Sequence, residues 1–180
     1  MRRRLAPALV VISILAPAAF LAGCGAEEEH LEVIEGEPIE ADDLSYNVVI
    51  SRFLNPDDEE DSAYVAGQPD PPVDEEYFGV FLQVENDGEE AVVIPEAFRV
   101  LDTLENAYEP IETESPYALP LGETLEPGGQ LPVANSTADD GPTQGSLILF
   151  LIEEASTENR PLELEVPLPS GEVGIIELDI

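Results

Sequence analysis

The chain contains no tryptophan and no lysine, and only one histidine and one cysteine. Each shortage excludes a class of activity. His30, the only imidazole, falls in the acidic segment that reads as a tether, where it cannot orient a serine nucleophile, so a Ser-His-Asp relay is not expected. Without lysine there is no glycine-lysine loop to cradle phosphates. Zinc and copper sites draw on His, Cys and Met, and the chain has one of each. Carboxylates are plentiful, but a paired-carboxylate hydrolase normally stacks its sugar on aromatic platforms, and tryptophan is missing. No enzyme is expected. A lone cysteine also forbids a disulfide within the chain, so stability must come from the core.

Positive charge is scarce too. Six arginines face forty acidic residues, and three of the six are Arg2, Arg3 and Arg4. The remainder carries forty carboxyl side chains against Arg52, Arg99 and Arg160. Such a charge repels nucleic-acid phosphates and anionic lipid headgroups, so no nucleic-acid partner is expected. Salt screens the self-repulsion. The acidity fits a solvated surface, cation attraction or adaptation to salt.

The start of the chain reads "MRRRLAPALVVISILAPAAFLAGC". A basic cluster, an apolar run and small residues before Cys24 form the pattern of a secretory signal over residues 1–23. Pro7, Ser13 and Pro17 make the run a poor spanning helix. The tetrad "LAGC", Leu21 to Cys24, resembles the lipobox of bacterial lipoproteins. That resemblance implies cleavage before Cys24 and lipid on its thiol. The mature chain would then be held at the outer face of the cell membrane, since stable anchoring needs more than one acyl chain and lipoproteins carry at least two.

Residues 24–43 are acidic and without strong periodicity. They read as a disordered, charge-extended tether. From Leu44 to Ile180 the pattern is of strands and turns. "SYNVVISRFL" (45–54) is rich in β-branched and aromatic residues. "EYFGVFLQVEN" (76–86) alternates, with Phe78, Val80, Leu82 and Val84 on one face. A strand over 91–102 is interrupted at Pro95, where a bulge or strand switch is expected; a short helix over 95–99 is the other option. Another strand covers Ala107–Ile111. "TLEPGGQLPV" (124–133) holds a Pro-Gly-Gly turn. "GSLILFLI" (145–152), apolar on both faces, reads as a central strand. "RPLELEVPL" (160–168) places Leu162, Leu164, Val166 and Leu168 inward. "EVGIIELDI" (173–180) closes the chain. Seven or eight such strands predict an all-β, antiparallel immunoglobulin-like sandwich over 44–180.

Several positions then fall into a pattern: Val84 and Asn86, Asp87–Gly88, Phe98, Asp102 and Tyr108, Pro127–Gly128, and the apolar run Leu147–Ile152. In this arrangement the chain resembles immunoglobulin-like domains of unknown function on lipoproteins of Gram-positive bacteria. These are similar in fold to a secreted mycobacterial immunoprotective antigen. The resemblance implies a sandwich and no catalytic residues.

Two features are candidates for binding. In "NPDDEEDS", the oxygen-bearing side chains of Asn55, Asp57, Glu59 and Asp61 alternate as ligands for a hard cation such as calcium would. Glu60 and Ala66 occupy the places where an EF-hand needs glycine and glutamate, so it is not an EF-hand. Tyr46, Tyr64, Tyr77 and Phe81 are candidates for an exposed aromatic contact surface or for core edges. The leading expectation is a non-enzymatic interaction module of the cell envelope with an envelope protein as partner. A calcium-binding surface protein using the 55–62 loop is the alternative.

Overall fold

Alternation of apolar residues gives each long strand one face for the core. The computed structural model describes residues 31–41 and 43–180. Its strands are β1 (Glu32–Ile34), β2 (Ile39–Ala41), β3 (Leu44–Leu54), β4 (Glu75–Asn86), β5 (Val92–Val93), β6 (Arg99–Leu101), β7 (Ala107–Tyr108), β8 (Thr124–Leu125), β9 (Gln130–Leu131), β10 (Ser146–Glu153), β11 (Leu162–Pro167) and β12 (Val173–Leu178). A 3-10 turn, Glu154–Glu158, follows β10. The signal segment 1–23, Cys24 and His30 lie outside the described residues.

Two sheets face each other. The first runs β1-β12-β11-β6-β7; the second runs β10-β4-β3-β2, with β9 also on β4. All pairings are antiparallel except β1 with β12. Between the sheets lie Tyr46, Val48, Phe78, Val80, Leu82 and Val84 from the second, and Val100, Leu162, Leu164, Val166 and Ile176 from the first. The alternation of 76–86 and 160–168 is therefore realised as expected, and the all-β sandwich stands.

Four expectations about the fold need correction. The acidic segment is not a tether throughout: Glu32–Ile34 adds to the first sheet and Ile39–Ala41 to the second. Ile39 is fully buried, so the apolar residues of that segment are core residues despite the surrounding glutamates. Glu35 fixes this crossing. Its carboxylate accepts hydrogen bonds from Ser51 N–H at 3.2 Å, Ser51 Oγ at 2.5 Å and Asp179 N–H at 3.2 Å. The strands number twelve, not seven or eight, because several are two or three residues long. No helix forms over 95–99. Instead Pro95 separates β5, paired with β8, from β6 in the first sheet, which is the strand switch its missing N–H favours.

The run Ser146–Glu153 ends its sheet rather than sitting in the middle of it. Its free edge is covered by residues 110–119, through Ile111 N–H to Leu149 O, Leu119 N–H to Leu147 O and Leu147 N–H to Tyr117 O. Covering removes an exposed edge that would invite pairing with another chain. Asn86, fully buried, ties the ends of three elements. Its amide donates to Glu90 O and Leu125 O, and its Oδ1 accepts from Gly88 N–H. Next to it, the Pro127–Gly128 turn closes with Gly129 N–H to Glu126 O at 2.8 Å, Gly128 holding the positive φ of 69° this turn demands.

Tyr46 has no hydrogen-bond partner for its buried hydroxyl, and burial pushes its pKa up to about 12. Tyr46→Phe is therefore expected to raise the unfolding free energy by about 1 kcal/mol, because it removes a buried polar group that is not satisfied. Urea denaturation measures this; a loss of stability would show that the hydroxyl has a partner.

Candidate functional site

The outer faces of the two sheets differ in kind. On the second sheet the outward side chains Leu54, Tyr77, Phe81, Leu147 and Leu149 are buried under Tyr64 and Val65, with Ile111 and Tyr117 alongside. The acidic 55–75 loop thus folds back over the sheet as a lid with its own apolar cluster. Gly79 permits the close approach: a Cβ there would lie 2.9 Å from Leu54 Cδ1. The Tyr64 ring meets Phe81 edge-on, with centroids 5.0 Å apart. Tyr46, Tyr64, Tyr77 and Phe81 are all buried, so they do not form an exposed contact surface.

Arg52 pins that lid. Its guanidinium lies 5.5 Å from the Tyr64 ring centroid and 5.8 Å from that of Phe81, and Nη2 meets Asp61 Oδ1 at 2.6 Å. Asp61 Oδ2 accepts from Asn55 N–H at 2.9 Å. Both carboxylate oxygens of Asp61 are thus engaged, and the residue is buried. Asn55 uses its Oδ1 to accept from Asp57 N–H at 3.0 Å. Asp57 and Glu59 are exposed. Among the described residues no three His, Cys, Asp or Glu side chains converge as metal ligands. The structure therefore does not bring Asn55, Asp57, Glu59 and Asp61 together as a ligand set. It gives Asp61 to Arg52.

Asp102 has a structural role of its own. Its carboxylate accepts from Leu104 N–H, Asn106 N–H, the Asn106 amide, Ser156 Oγ and the Asn159 amide. Tyr108 Oη lies 2.6 Å from Ser156 Oγ. Asp102 and Tyr108, six apart in sequence, therefore meet through a serine of the 3-10 turn. Burial alone would raise the Asp102 pKa; the hydrogen bonds from Asn106, Ser156 and Leu104 outweigh it and hold it down at about 2. Asp102 and Ser156 are both buried, and this network fastens the β6–β7 hairpin to the 3-10 turn.

The first sheet, by contrast, has an open outer face. Register places Leu101, Glu163, Glu177 and Ile34 in one row across β6, β11, β12 and β1. The next row holds Arg99, Glu165, Ile175 and Glu32, and beyond it Pro167 faces Val173. Ile34 and Val173 are exposed at 55% and 44%. Arg99 Nη2 meets Glu165 Oε2 at 2.5 Å. A hollow of about 540 Å³ opens here, lined by Ala97, Phe98, Pro110, Pro167 and Val173, with the carboxylates of Glu96 and Glu109. A second of about 330 Å³ lies among Glu32, Ile34, Glu163, Ile175 and Glu177. The alternating glutamates of "LELEV" were a legible sign of an outward face. Their registration against Glu177 and Glu32 was not, since pairing is a tertiary fact.

No protein-family model matches the chain, and no curated protein matches it. Solved structures do. The yjhA protein of Bacillus subtilis is 14% identical, with a TM-score of 0.50 over 82% of this chain and 99% of that one. A candidate lipoprotein of Bacillus subtilis, ycdA, is 12% identical with a TM-score of 0.51; the match covers 81% of this chain and 38% of that one. A β-sandwich protein of Clostridium difficile is 13% identical with a TM-score of 0.47, covering 82% and 93%. At these identities the first two likenesses concern the fold. Among the described residues no helix is long and apolar enough to cross a membrane.

The Asp102 network carries a pH signature. The folded pKa, about 2, lies below the ordinary aspartate value of 3.8. Its contribution to stability is therefore present above pH 4 and is lost as pH falls through 4 towards 2. Asp102→Asn is expected to cost about 1–3 kcal/mol at pH 7, because an amide nitrogen would face donors. The gap to wild type should narrow as pH falls below about 4 and close only at about pH 2 and below. Urea unfolding of both proteins across pH checks this; a gap independent of pH would contradict it.

Proposed function

We propose that the chain is a lipid-anchored, extracytoplasmic binding module of the cell envelope with no catalytic activity of its own, and that its partner docks on the outer face of the first sheet. The observation that carries this reading is the asymmetry of the two outer faces. One is sealed by the protein's own loop and pinned by Arg52, while the other is bare, with exposed Ile34 and Val173 and two hollows. Exposed apolar side chains set among polar ones are the usual mark of an interaction site. The basic and apolar start of the chain, ending in "LAGC", supports lipid attachment at Cys24, and the fold it shares with a candidate lipoprotein is in keeping with this.

Two measurements test the reading together. Cys24→Ser should move the chain from the membrane fraction to the soluble fraction of cells that express it. A photo-cross-linking residue at Val173 should capture an envelope protein in those cells, and one at Val93, even more exposed but away from the first sheet, should not. Equal capture at both positions, or membrane retention of the Cys24→Ser chain, would contradict the proposal.

A further inference from the structure

The chemistry of the open face specifies its occupant. Glu163 and Glu177 are registered directly opposite each other on β11 and β12. Side chains so placed have Cβ atoms about 5 Å apart, and like charges there are destabilising. Glu32 lies on the same face, and Glu96 and Glu109 line the adjoining hollow. The one cation of the face, Arg99, is already paired with Glu165. Arg52 is committed to Asp61, and the Arg160 guanidinium meets the backbone oxygen of Ile180. Among the described residues neither Glu163 nor Glu177 forms an ion pair, although Arg160 lines a hollow at the end of the sheet together with Glu177. The same face carries Ile34, Ile175, Val173 and Pro167 between the carboxylates.

We propose that this face and its hollow dock a basic polypeptide segment whose arginine or lysine side chains are flanked by apolar ones. Its cations would lie between Glu163 and Glu177, and its apolar side chains would enter the hollow beside Val173 and Pro167. Charge complementarity favours such a partner over a second copy of this chain, which would bring the same excess of carboxylates. It equally disfavours an anionic lipid surface. The inference rests on the reading of the chain as an anchored binding module, and that reading also places the partner. Six residues lie between Cys24 and Leu31, and the seven steps of chain span at most about 25 Å. β1 follows at once and contributes Glu32 and Ile34 to the face. The basic segment would therefore belong to a protein at or in the same membrane, close to its surface.

The test uses the full chain in detergent micelles and a synthetic peptide of alternating arginine and valine, titrated calorimetrically at physiological ionic strength. Saturable one-to-one binding is expected. The double variant Glu163→Gln with Glu177→Gln should weaken it roughly tenfold, while Glu59→Gln with Glu60→Gln, which removes the same charge from the lid of the second sheet, should change it less than about twofold. The first double variant should also melt at a higher temperature than wild type, since it relieves the opposed pair. Equal weakening by the two variants would reduce the attraction to net charge and overturn the proposal. So would a polyamine binding as tightly as the peptide, a lowered melting temperature of the first variant, or a dimer formed through this face. If the Val173 cross-link forms in cells but the peptide does not bind, the docking face stands and the basic partner falls. If neither occurs, the binding-module reading itself falls.

Discussion

Self-repulsion is the constraint to which the rest of this structure answers. Past residue 23, forty carboxyl side chains share three arginines, so ion pairs cannot hold the domain together. Isolated surface pairs contribute little in any case. The sheets are held by apolar contact: Tyr46, Phe78, Val80 and Leu82 on one side against Val100, Leu164 and Ile176 on the other. The acidic residues sit mainly outside, where water and salt screen them.

Two carboxylates are exceptions, and both are used as acceptors. Asp102 is buried because five donors surround it. Asp61 is buried because Arg52 and the Asn55 N–H satisfy it. The second case has the larger consequence. A single arginine, stacked near two aromatic rings, brings an otherwise repelled acidic loop down onto the second sheet. That closure hides Phe81 and Tyr77, whereas on the first sheet Ile34 stays exposed in register with Glu177 and Val173 stays exposed opposite Pro167. The place open to a partner is thus set by where one of the few cations was spent.

The core was legible in the sequence wherever alternation was clean. Phe78 to Val84 and Leu162 to Leu168 lie inward as their spacing required. Pro95 announced a strand switch through its missing N–H. Asn86, Asp102 and Tyr108 were visible as a pattern, but their mechanism was not, because Ser156, Asn159 and Leu125 complete the networks from distant parts of the chain. Composition misled over residues 32–41. Glutamates there hid Ile39, whose burial depends on a neighbouring sheet and not on local sequence. The alternation of Asn55, Asp57, Glu59 and Asp61 misled for a related reason: spacing proposes ligands, but Arg52 decides where Asp61 points. The glutamate rows of the first sheet were the least legible feature, since β11 against β12 is a matter of register and register is not written in either strand alone.

In the proposed arrangement a partner in the envelope covers the first sheet, while the chain's own loop covers the second. Carboxyl footprinting in intact cells, compared with the purified full chain, tests it most directly. The account predicts that Glu32, Glu163 and Glu177 are shielded from labelling in cells while Asp57, Glu59 and Glu60 label equally in both. Shielding of the loop carboxylates with free labelling of Glu163 and Glu177 would contradict it.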